Sequence, residues 1–405
     1  MQGQTIVCVA TEAWDSLWRS TQQYMSRLAI QNRVLYFEPG RRPDRGVLAE
    51  FGRNWQSLFR LRYETVHDNL ILVATPPRLP TGRQALPRAA LRITAPLVQH
   101  ANAGILIRRL RRAMVALGVR SPLLWICSPS DVGLVGRLGE RLACYFNYDE
   151  FANFEQNVRI REFVRKQDDE LTSRVDVVFA TSSSQWQHRR RINPNTHFLP
   201  HGVDFELFNQ ALLPGFPLPT DIASVPRPII GYAGWVGWQM DVELLCRVAS
   251  VCSTCSLVLV GPDKLPRSDD ERELRSLPNV FFLGRKDRSA LPGYLRAFDV
   301  ALIPYALRGF VPTAFPVKLL EYLAAGRAVV ATAMPELQPY RDLVRIAETH
   351  DQFAQSVHEA LDDRSPQAIA ARVAVARDNT WDQRVAQIHG VLDQMLSTKS
   401  QRPVV

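Results

Sequence analysis

The chain has 405 residues, 46% of them hydrophobic, and a formal net charge of +9 at pH 7. This is more chain than one domain usually takes, so we expect a two-domain protein with a sizeable core. No window reaches the ~18 apolar residues of a membrane-spanning helix, and the opening MQGQTIVCVATEAWD lacks the pattern of a signal peptide, so we expect a cytoplasmic protein.

The N-terminal half alternates apolar, strand-like runs with helix-like stretches. The runs are TIVCVA, RVLYFEP, NLILVAT, PLLWICS, LACYFNY, DVVFATS and THFLPHGVD. This alternation predicts an α/β domain with a parallel sheet. The six cysteines lie mostly in such runs, which is typical of reduced core residues. Cys252 and Cys255 form a lone C-x2-C without a second ligand pair, so we expect no metal site there.

The positive charge is concentrated in residues 1–120, which hold 18 Lys and Arg against 7 Asp and Glu. Within this part, residues 97–117 have helical apolar spacing and four clustered arginines, Arg108, Arg109, Arg111 and Arg112. Two interpretations stay open: a helix lying on an anionic membrane surface, or a solvated helix face. Nucleic acid is not expected as a partner, because no helix-turn-helix, zinc-finger or RNP pattern accompanies the charge.

The strand CYFNY ends at Asp149 and Glu150. A carboxylate at the carboxyl end of a parallel strand can act as a general base, but it can equally be the N-cap of the following helix. The local sequence does not decide between the two.

Residues 209–228 contain five prolines and little periodicity, which predicts an interdomain linker. We therefore place an N-terminal domain at 1–208, a C-terminal α/β domain at 229–379 and an amphipathic helix in 380–405. A ligand-binding cleft is expected between the two domains.

The first strand of the C-terminal domain runs into a glycine-rich turn, GYAGWVGWQMD, with Gly231, Gly234 and Gly237. Such a turn lets backbone amides approach a phosphate, although it is also a plain loop in many proteins. It is not G-x-G-x-x-G, and the first strand of the chain lacks that pattern too, which argues against an NAD enzyme.

The stretch FPVKLLEYLAAGRAVVAT (315–332) carries two charges, Lys318 and Glu321, inside an apolar run. With Pro316 in the first turn and Gly326 at the C-terminal end, the two side chains share one face near the positive end of a helix. They form either an ion pair or a nucleotide site. The chain uses 5 Lys against 44 Arg, and a compact ammonium suits a phosphate, so we favour the nucleotide site.

These motifs resemble the GT-B fold glycosyltransferases, which have two Rossmann-like domains facing across a cleft. KLLEYLAAG and LPHGVDFELF carry the resemblance, which extends over nearly the whole chain. Within this group, the chain resembles bacterial enzymes of the teichuronic acid type. It implies transfer of a sugar from a nucleotide-diphosphate sugar to a hydroxyl acceptor, in surface polysaccharide or glycolipid synthesis. No metal or other cofactor is implied, the acceptor being a sugar, a small molecule or a lipid-linked molecule.

The resemblance also implies roles for individual residues. Lys318 would contact the diphosphate and Glu321 the ribose, while Asp149 would be the catalytic base. The remaining donor contacts implied are Gly234, Trp235, Arg285 and Tyr305. Trp14 and Asp15, after the first strand, would contact the acceptor. Variable N-terminal loops such as 76–96 would shape the acceptor pocket. The last helix would cross back to the N-terminal domain.

One departure concerns Thr313, which stands where the E-x7-E motif of many retaining relatives has its first glutamate. Retaining stereochemistry is therefore not supported. Two other interpretations remain: a GT-B nucleotide-sugar epimerase, and a non-catalytic GT-B scaffold at the membrane.

Overall fold

The computed structural model describes residues 1–16, 18–39, 61–76, 91–154 and 157–400. Two compact units make up the chain, Met1–Leu199 with Val385–Val405, and Pro200–Arg384. Residues 77–90, which hold most of the loop expected to shape the acceptor pocket, lie outside the described ranges.

The first unit is built on an eight-stranded sheet. Its strands are β1 (Thr5–Val9), β2 (Arg33–Glu38), β3 (Tyr63–His67), β4 (Leu70–Ala74), β5 (Leu123–Ile126), β6 (Leu142–Asn147), β7 (Val177–Ala180) and β8 (Thr196–Phe198). The order is β3-β4-β2-β1-β5-β6-β7-β8, parallel throughout except for the antiparallel pair β3–β4. The carboxyl ends of β1 and β6 therefore lie along one edge of the sheet.

The α-helices described between Met1 and Leu199 are α1 (Ser20–Leu28), α2 (Leu91–Ala116), α3 (Val158–Arg174) and α4 (Ser183–Ile192). Local chemistry starts two of them: the side chain of Asn157 accepts from the first amides of α3, and Ser182 caps α4. The strands β5, β6 and β7 are buried along their whole length, as is usual for central strands of a parallel sheet.

The arginine cluster of α2 is split between core and solvent. Arg109 is only 6% exposed and its Nε donates to the carbonyl oxygen of Ala74 (3.1 Å), whereas Arg108, Arg111 and Arg112 are exposed. The apolar side of the helix, including Leu106 and Leu110, packs in the core of its own unit. Three of the four clustered arginines are therefore exposed, and the fourth belongs to the core side of the helix.

The second unit contains a six-stranded parallel sheet. Its strands are β9 (Ile229–Ala233), β10 (Ser256–Val260), β11 (Val280–Gly284), β12 (Val300–Ile303), β13 (Ala328–Thr332) and β14 (Val344–Ala347), in the order β11-β10-β9-β12-β13-β14. From β9 the chain adds strands towards one edge of the sheet (β10, β11), and from β12 it adds them towards the other edge (β13, β14), so the strand order reverses between β9 and β12. The helices that follow α4 are α5 (Phe205–Asn209), α6 (Thr220–Ala223), α7 (Val242–Val251), α8 (Asp269–Ser276), α9 (Leu291–Ala297), α10 (Lys318–Ala324), α11 (His350–Leu361), α12 (Pro366–Arg377) and α13 (Trp381–Ser400).

Both faces of this sheet are covered by helices. Alternate residues of β9 show this, since Ile229 packs in one apolar cluster with α10 and Ile230 in the other with α7 and α11. With the sheet of the first unit, this arrangement confirms the predicted α/β class with two Rossmann-like domains.

The proline-rich segment 209–228, predicted to be a linker, packs on the second unit. Ile222 and Val225 lie in its core, and Arg296 donates to the carbonyl oxygen of Leu213 (2.7 Å). The unit already begins at Pro200, before the expected boundary. The reason is a backbone connection: Val203 N donates to the carbonyl oxygen of Asn379 (2.9 Å).

The last helix, α13, belongs to the first unit from Val385 onward. There Gln387 donates to the carbonyl oxygen of Phe198 (2.8 Å) and Lys399 pairs with Asp176 (2.6 Å). Within the described ranges, no helix combines the length and the apolar character needed to cross a bilayer.

Candidate functional site

The donor residues predicted from sequence lie mostly at the carboxyl edge of the second sheet, where β9 and β12 end. This is the point at which the strand order reverses, and α/β sheets bind ligands at such points. Gly234 follows β9, Tyr305 follows β12, and Lys318 begins α10.

Gly234 and Lys318 are in direct contact. A Cβ atom placed on Gly234 would lie 1.9 Å from both Cε and Nζ of Lys318. The glycine has φ 155° and its amide donates to the carbonyl oxygen of Val260 (2.7 Å). Only a residue without a side chain leaves the ammonium its place here. Gly261, one strand away, makes room for the backbone of Gly234, since a Cβ there would lie 1.6 Å from the carbonyl oxygen of Gly234.

Tyr232 joins the remaining members of this cluster. The Lys318 Nζ lies 5.3 Å from the centroid of its ring. The Tyr232 hydroxyl donates to the carbonyl oxygen of Trp235 (3.0 Å) and lies 3.2 Å from the hydroxyl of Tyr305. Burial raises the pKa of Tyr305 to about 12, so its hydroxyl keeps its proton at neutral pH. The structure thus brings Gly234, Trp235, Tyr305 and Lys318 together.

The ammonium of Lys318 is uncommitted. Among the described residues it has neither an ion pair nor a hydrogen bond, only the Tyr232 ring and a longer-range attraction to Glu321. Burial lowers the pKa of Lys318, and the nearby Glu321 opposes that shift. The simple ion pair considered from the sequence is therefore not formed. A cation held in this way is suited to an anionic ligand.

One expectation about α10 needs correction. The helix has seven residues and starts at Lys318, so Pro316 precedes it and does not lie in its first turn. The amides of Leu319, Leu320 and Glu321 already donate to the carbonyl oxygens of Pro316 and Val317 (3.0 to 3.4 Å). These three amides are therefore not open to a phosphate, and the charge of Lys318 is the feature of this turn that suits an anion. Gly326 does follow the helix with φ 69°, as predicted.

Arg285 lies apart from this cluster. It follows β11 at the edge of the sheet, and its side chain is exposed with no hydrogen bond or ion pair inside the described ranges. Only the backbone connects the two places, because Gly261 N donates to the carbonyl oxygen of Gly284 (2.9 Å). The structure does not bring Arg285 into contact with the other donor residues.

The sequence reasoning missed Tyr232 and Gly261. Both had a signal: Tyr232 interrupts the aliphatic strand IIGYA, and Gly261 ends the strand SLVLV as Gly234 ends its own. A glycine after each of two strands indicates two loops that approach each other closely.

In the first unit, Asp149 follows β6 at the carboxyl edge. The preceding Tyr148 has its hydroxyl 2.7 Å from Thr11 Oγ1, in the loop after β1. Burial raises the pKa of Asp149 to about 7; the charge of Arg19 opposes this shift, and Glu12 and Glu150 add to it. A carboxyl group that titrates near neutrality is suited to general base catalysis.

The alternative role of Asp149 as a helix N-cap is not supported. A 3₁₀ turn, Phe151–Phe154, comes next, and α3 is capped by Asn157, whose Oδ1 accepts from Arg159 N (3.0 Å). Among the described residues, no hydrogen bond reaches the carboxylate of Asp149.

Trp14 and Asp15 lie in the loop between β1 and α1. The Trp14 amide donates to Glu38 Oε1 (2.6 Å), and its ring packs edge-on against Tyr36 (5.1 Å) and Trp18 (5.4 Å). Asp15 is exposed. The same loop contains Glu12 and is followed by Arg19, and these two residues form an ion pair at 2.9 Å. Both charges act on the pKa of Asp149. No ring or polar contact joins Trp14 to Asp149 within the described ranges.

A buried charged network lies beneath the Asp149 turn, and the sequence did not predict it. Arg189 of α4 is 2% exposed and pairs with the fully buried Asp168 (2.6 Å) and with Asp169 (2.9 Å). Asn147 connects the network to the turn, since its Nδ2 donates both to the hydroxyl of Tyr145 (3.0 Å) and to the carbonyl oxygen of Asp149 (3.1 Å). The network therefore holds the backbone that carries the carboxylate.

In the part of the chain that the structure describes, no group of three His, Cys, Asp or Glu side chains is placed to hold a metal ion. All six cysteines are buried and free, including Cys252 and Cys255. That the reaction needs no metal stays a prediction.

The comparisons with known proteins agree on the class. The fold is that of the GT-B glycosyltransferases. Over 98% of this chain and 100% of the other, it matches sucrose-phosphate synthase from Thermosynechococcus elongatus with a TM-score of 0.67 and 17% identity. It matches a UDP-forming α,α-trehalose-phosphate synthase from Burkholderia xenovorans with a TM-score of 0.70 and 14% identity, over 96% and 100% of the two chains.

Two sequence matches are more specific. Residues 227–363, which contain the Lys318 cluster, match the family model Glycosyl transferases group 1. A protein of Bacillus subtilis (strain 168) described as a teichuronic acid biosynthesis glycosyltransferase, TuaH, is 28% identical over 184 residues. These residues are 43% of this chain and 45% of that protein, so the match spans less than half of either.

Proposed function

We propose that this protein is a metal-independent glycosyltransferase, which moves a sugar from a nucleotide-diphosphate sugar to a hydroxyl group of an acceptor. The observation that carries the proposal is the unpaired ammonium of Lys318, lying against Gly234 at the carboxyl edge of the sheet. It belongs to the segment that matches the group 1 glycosyl transferases.

On the donor side, Lys318 binds the diphosphate and stabilises its growing negative charge as it leaves. Glu321 accepts hydrogen bonds from the two ribose hydroxyls, and the hydroxyl of Tyr305 donates to phosphate. The backbone of Gly234 and Trp235 lines the diphosphate. Arg285, exposed at the end of β11, contacts the base.

On the acceptor side, Asp149 takes the proton of the acceptor hydroxyl. The oxygen then bonds to the anomeric carbon of the donor, the bond from that carbon to the diphosphate oxygen breaks, and its electron pair leaves with the nucleoside diphosphate. Trp14 and Asp15 contact the acceptor. The near-neutral pKa of Asp149 supports this role, because a base that titrates near the working pH transfers protons efficiently.

We further propose a role in surface polysaccharide or glycolipid synthesis, with a lipid-linked acceptor at the inner membrane surface. The similarity to the teichuronic acid protein supports it, as do the exposed Arg108, Arg111 and Arg112 of α2. Attraction to anionic lipid through these arginines weakens as salt is added. Co-sedimentation with phosphatidylglycerol vesicles should fall with salt and in Arg108→Ser/Arg112→Ser, while phosphatidylcholine vesicles bind neither protein.

The direct test is a panel of UDP-, GDP- and dTDP-sugars, measured by calorimetry and by donor hydrolysis, with Lys318→Met as the variant. Lys166→Met is the matched control, because Lys166 is an exposed lysine of α3. We expect wild type and Lys166→Met to bind one donor class. We expect Lys318→Met to lose about tenfold to hundredfold in affinity, the worth of a hydrogen bond between charged groups. Equal affinities in the two variants would remove Lys318 from the site.

Glu321→Gln tests the ribose contact with UDP and dTDP. If the carboxylate accepts from both ribose hydroxyls, the variant loses more affinity for UDP than for dTDP, because the sugar of dTDP has one hydroxyl fewer. An equal loss would contradict the assignment. A donor epimerised without acceptor would show an epimerase, and vesicle binding without nucleotide binding would show a scaffold.

A further inference from the structure

The loop after β9, residues 234–241, is held rigidly on both sides. Backbone hydrogen bonds connect it to the loop after β10 and to the loop after β12. They are Val236 N to Pro262 O (3.1 Å), Lys264 N to Val236 O (2.7 Å), Asp241 N to Pro304 O (2.9 Å) and Ala306 N to Gln239 O (2.9 Å). The loop conformation is therefore set before any ligand arrives.

This loop leaves its largest side chains in solvent. Val236 and Met240 are buried, at 1% and 0% exposure, whereas Trp235 and Trp238 are 40% and 42% exposed. Keeping large aromatic surfaces in water on a rigid loop forfeits the burial energy that they would add to a core. Their exposure is therefore better explained by a ligand than by packing.

Among the described residues, Trp238 has one aromatic neighbour, Phe310, at 5.1 Å between ring centroids and 61° between planes. Phe310 precedes the 3₁₀ turn Val311–Thr313, and Thr313 Oγ1 donates to its carbonyl oxygen (2.8 Å). The Trp238–Phe310 pair thus joins two fixed loops, one from β9 and one from β12, at the edge where Lys318 lies.

We propose that the Trp238–Phe310 pair binds the sugar ring of the donor. The inference rests on the proposed function and assigns a residue pair to the transferred group. The sugar is bonded directly to the diphosphate, so its ring must lie close to Lys318. Trp238 meets this condition, because it is four residues from Gly234 and four residues reach at most about 14 Å.

The chemistry of the pair suits a sugar. The face of an aromatic ring is electron-rich and attracts the slightly positive C–H groups on the apolar face of a pyranose. A ring of this kind also tolerates different hydroxyl patterns, since it makes no directional hydrogen bond. A phosphate, by contrast, gains nothing from an aromatic face, which leaves the diphosphate to Lys318.

The experiment compares each nucleotide with its sugar conjugate: UDP with UDP-glucose, GDP with GDP-mannose and dTDP with dTDP-rhamnose. Dissociation constants are measured by calorimetry for wild type, Trp238→Ala, Trp238→Phe and Phe310→Ala. Tyr63→Ala is the control, because Tyr63 is an exposed aromatic residue of β3 in the first unit. Circular dichroism melting checks that each variant is folded.

We expect Trp238→Ala to weaken the nucleotide sugar by about tenfold and to leave the free nucleotide within about twofold, with Phe310→Ala weaker in effect. Trp238→Phe should keep most of the affinity, and Tyr63→Ala all of it. Parallel losses for nucleotide and nucleotide sugar would overturn the proposal, as would no change in Trp238→Ala. So would a variant that keeps its sugar-nucleotide affinity but loses binding to phosphatidylglycerol vesicles. Wild type that binds no nucleotide at all would instead overturn the proposed function itself.

Discussion

The carboxyl edge of each sheet carries one of two groups of opposite charge, Asp149 or Lys318. Burial shifts the pKa of each group in the direction that favours its neutral form. In the first unit burial raises the pKa of Asp149 to about 7, and in the second unit burial lowers the pKa of Lys318. Neither group has an ion pair among the described residues. Each unit therefore keeps one charged group that is costly without a ligand, a feature typical of functional sites.

The two edges differ in how they support that group. The Asp149 turn stands on a buried network of full charges, centred on Arg189 and Asp168. Lys318 is surrounded by neutral tyrosine hydroxyls, an aromatic ring and glycine backbone. A fixed charge beneath the turn can orient a base without touching its carboxylate. A carboxylate paired with Lys318, in contrast, would compete with an anionic ligand, and Glu321 attracts Lys318 without forming such a pair.

The largest expected effect is on turnover in Asp149→Asn. Loss of a general base costs about 10²- to 10⁴-fold in kcat, while donor affinity stays unchanged. In wild type, kcat/KM should rise with pH and level off above about 7, because the ionised carboxylate is the active form. Unchanged turnover in Asp149→Asn would remove the base from this turn.

The same variant has a signed effect on stability. The pKa of Asp149 is raised from 3.8 to about 7 by folding. Between these values the folded state holds the proton more tightly than the unfolded state, so wild-type stability falls as pH rises across that window. Asp149→Asn lacks this loss, and its melting temperature should gain on wild type from pH 4 to pH 8. A constant difference would contradict the shift.

The next effect tests the charged support of the first unit. Arg189→Met leaves Asp168 buried without its partner, which costs about 3–5 kcal/mol of unfolding free energy. Arg190→Met is the control, because that arginine is exposed over Trp186 (5.2 Å) and such a contact is worth about 1 kcal/mol at most. Denaturant unfolding measures both. Similar losses of unfolding free energy in the two variants would show that Arg189 does not stabilise the buried charge of Asp168.

Gly234→Ala tests the second unit in the same way. The new methyl group must displace the Lys318 ammonium, so affinity for the nucleoside diphosphate should fall by about tenfold to hundredfold. Gly104→Ala in α2 is the control, since a Cβ there meets nothing within 4 Å. Donor affinity that survives Gly234→Ala would mean that Lys318 acts from another position.

The smallest effect comes from a matched pair of tyrosines. Tyr36 OH donates to the carbonyl oxygen of Glu12 (2.9 Å) in the first unit, and Tyr232 OH does the same for Trp235 in the second. Each Tyr→Phe change removes a hydrogen bond of about 1 kcal/mol. We expect Tyr232→Phe to weaken nucleotide binding by about fivefold and Tyr36→Phe to leave it unchanged. Equal effects of the two changes on nucleotide binding would mean that the loop held by Tyr232 has no special part in binding the nucleotide.

Much of the fold followed from local patterns. Apolar runs at strand length, separated by helical spacing, predicted both parallel sheets, because these signals lie within a few residues of each other. The composition of the proline-rich segment 209–228 predicted its tertiary packing less well. Its composition indicates irregular chain, but it does not show that Ile222 and Val225 find a core to pack in.

The candidate site divides in the same way. Lys318 and Gly234 could be proposed from the sequence, because a lone charge in an apolar run and a glycine after a strand are local signals. Arg189 could not, since it stands between Arg190 and His188 in what reads as a polar helix face. Tyr232 joins Lys318, Trp235 and Tyr305 through contacts that cross three elements, and no spacing in the chain predicts them.

The sequence by itself determined the class of the fold and the position of the glycine turn. It also showed a lysine inside an apolar helical run and a carboxylate after a buried strand. Only the tertiary structure decided which charges are paired. Arg108 and Arg109 are adjacent and chemically identical, yet one is exposed and the other donates to Ala74 inside the unit. The reason is physical: burial and partner distance set the energy of a charge, and both depend on residues far away in the chain.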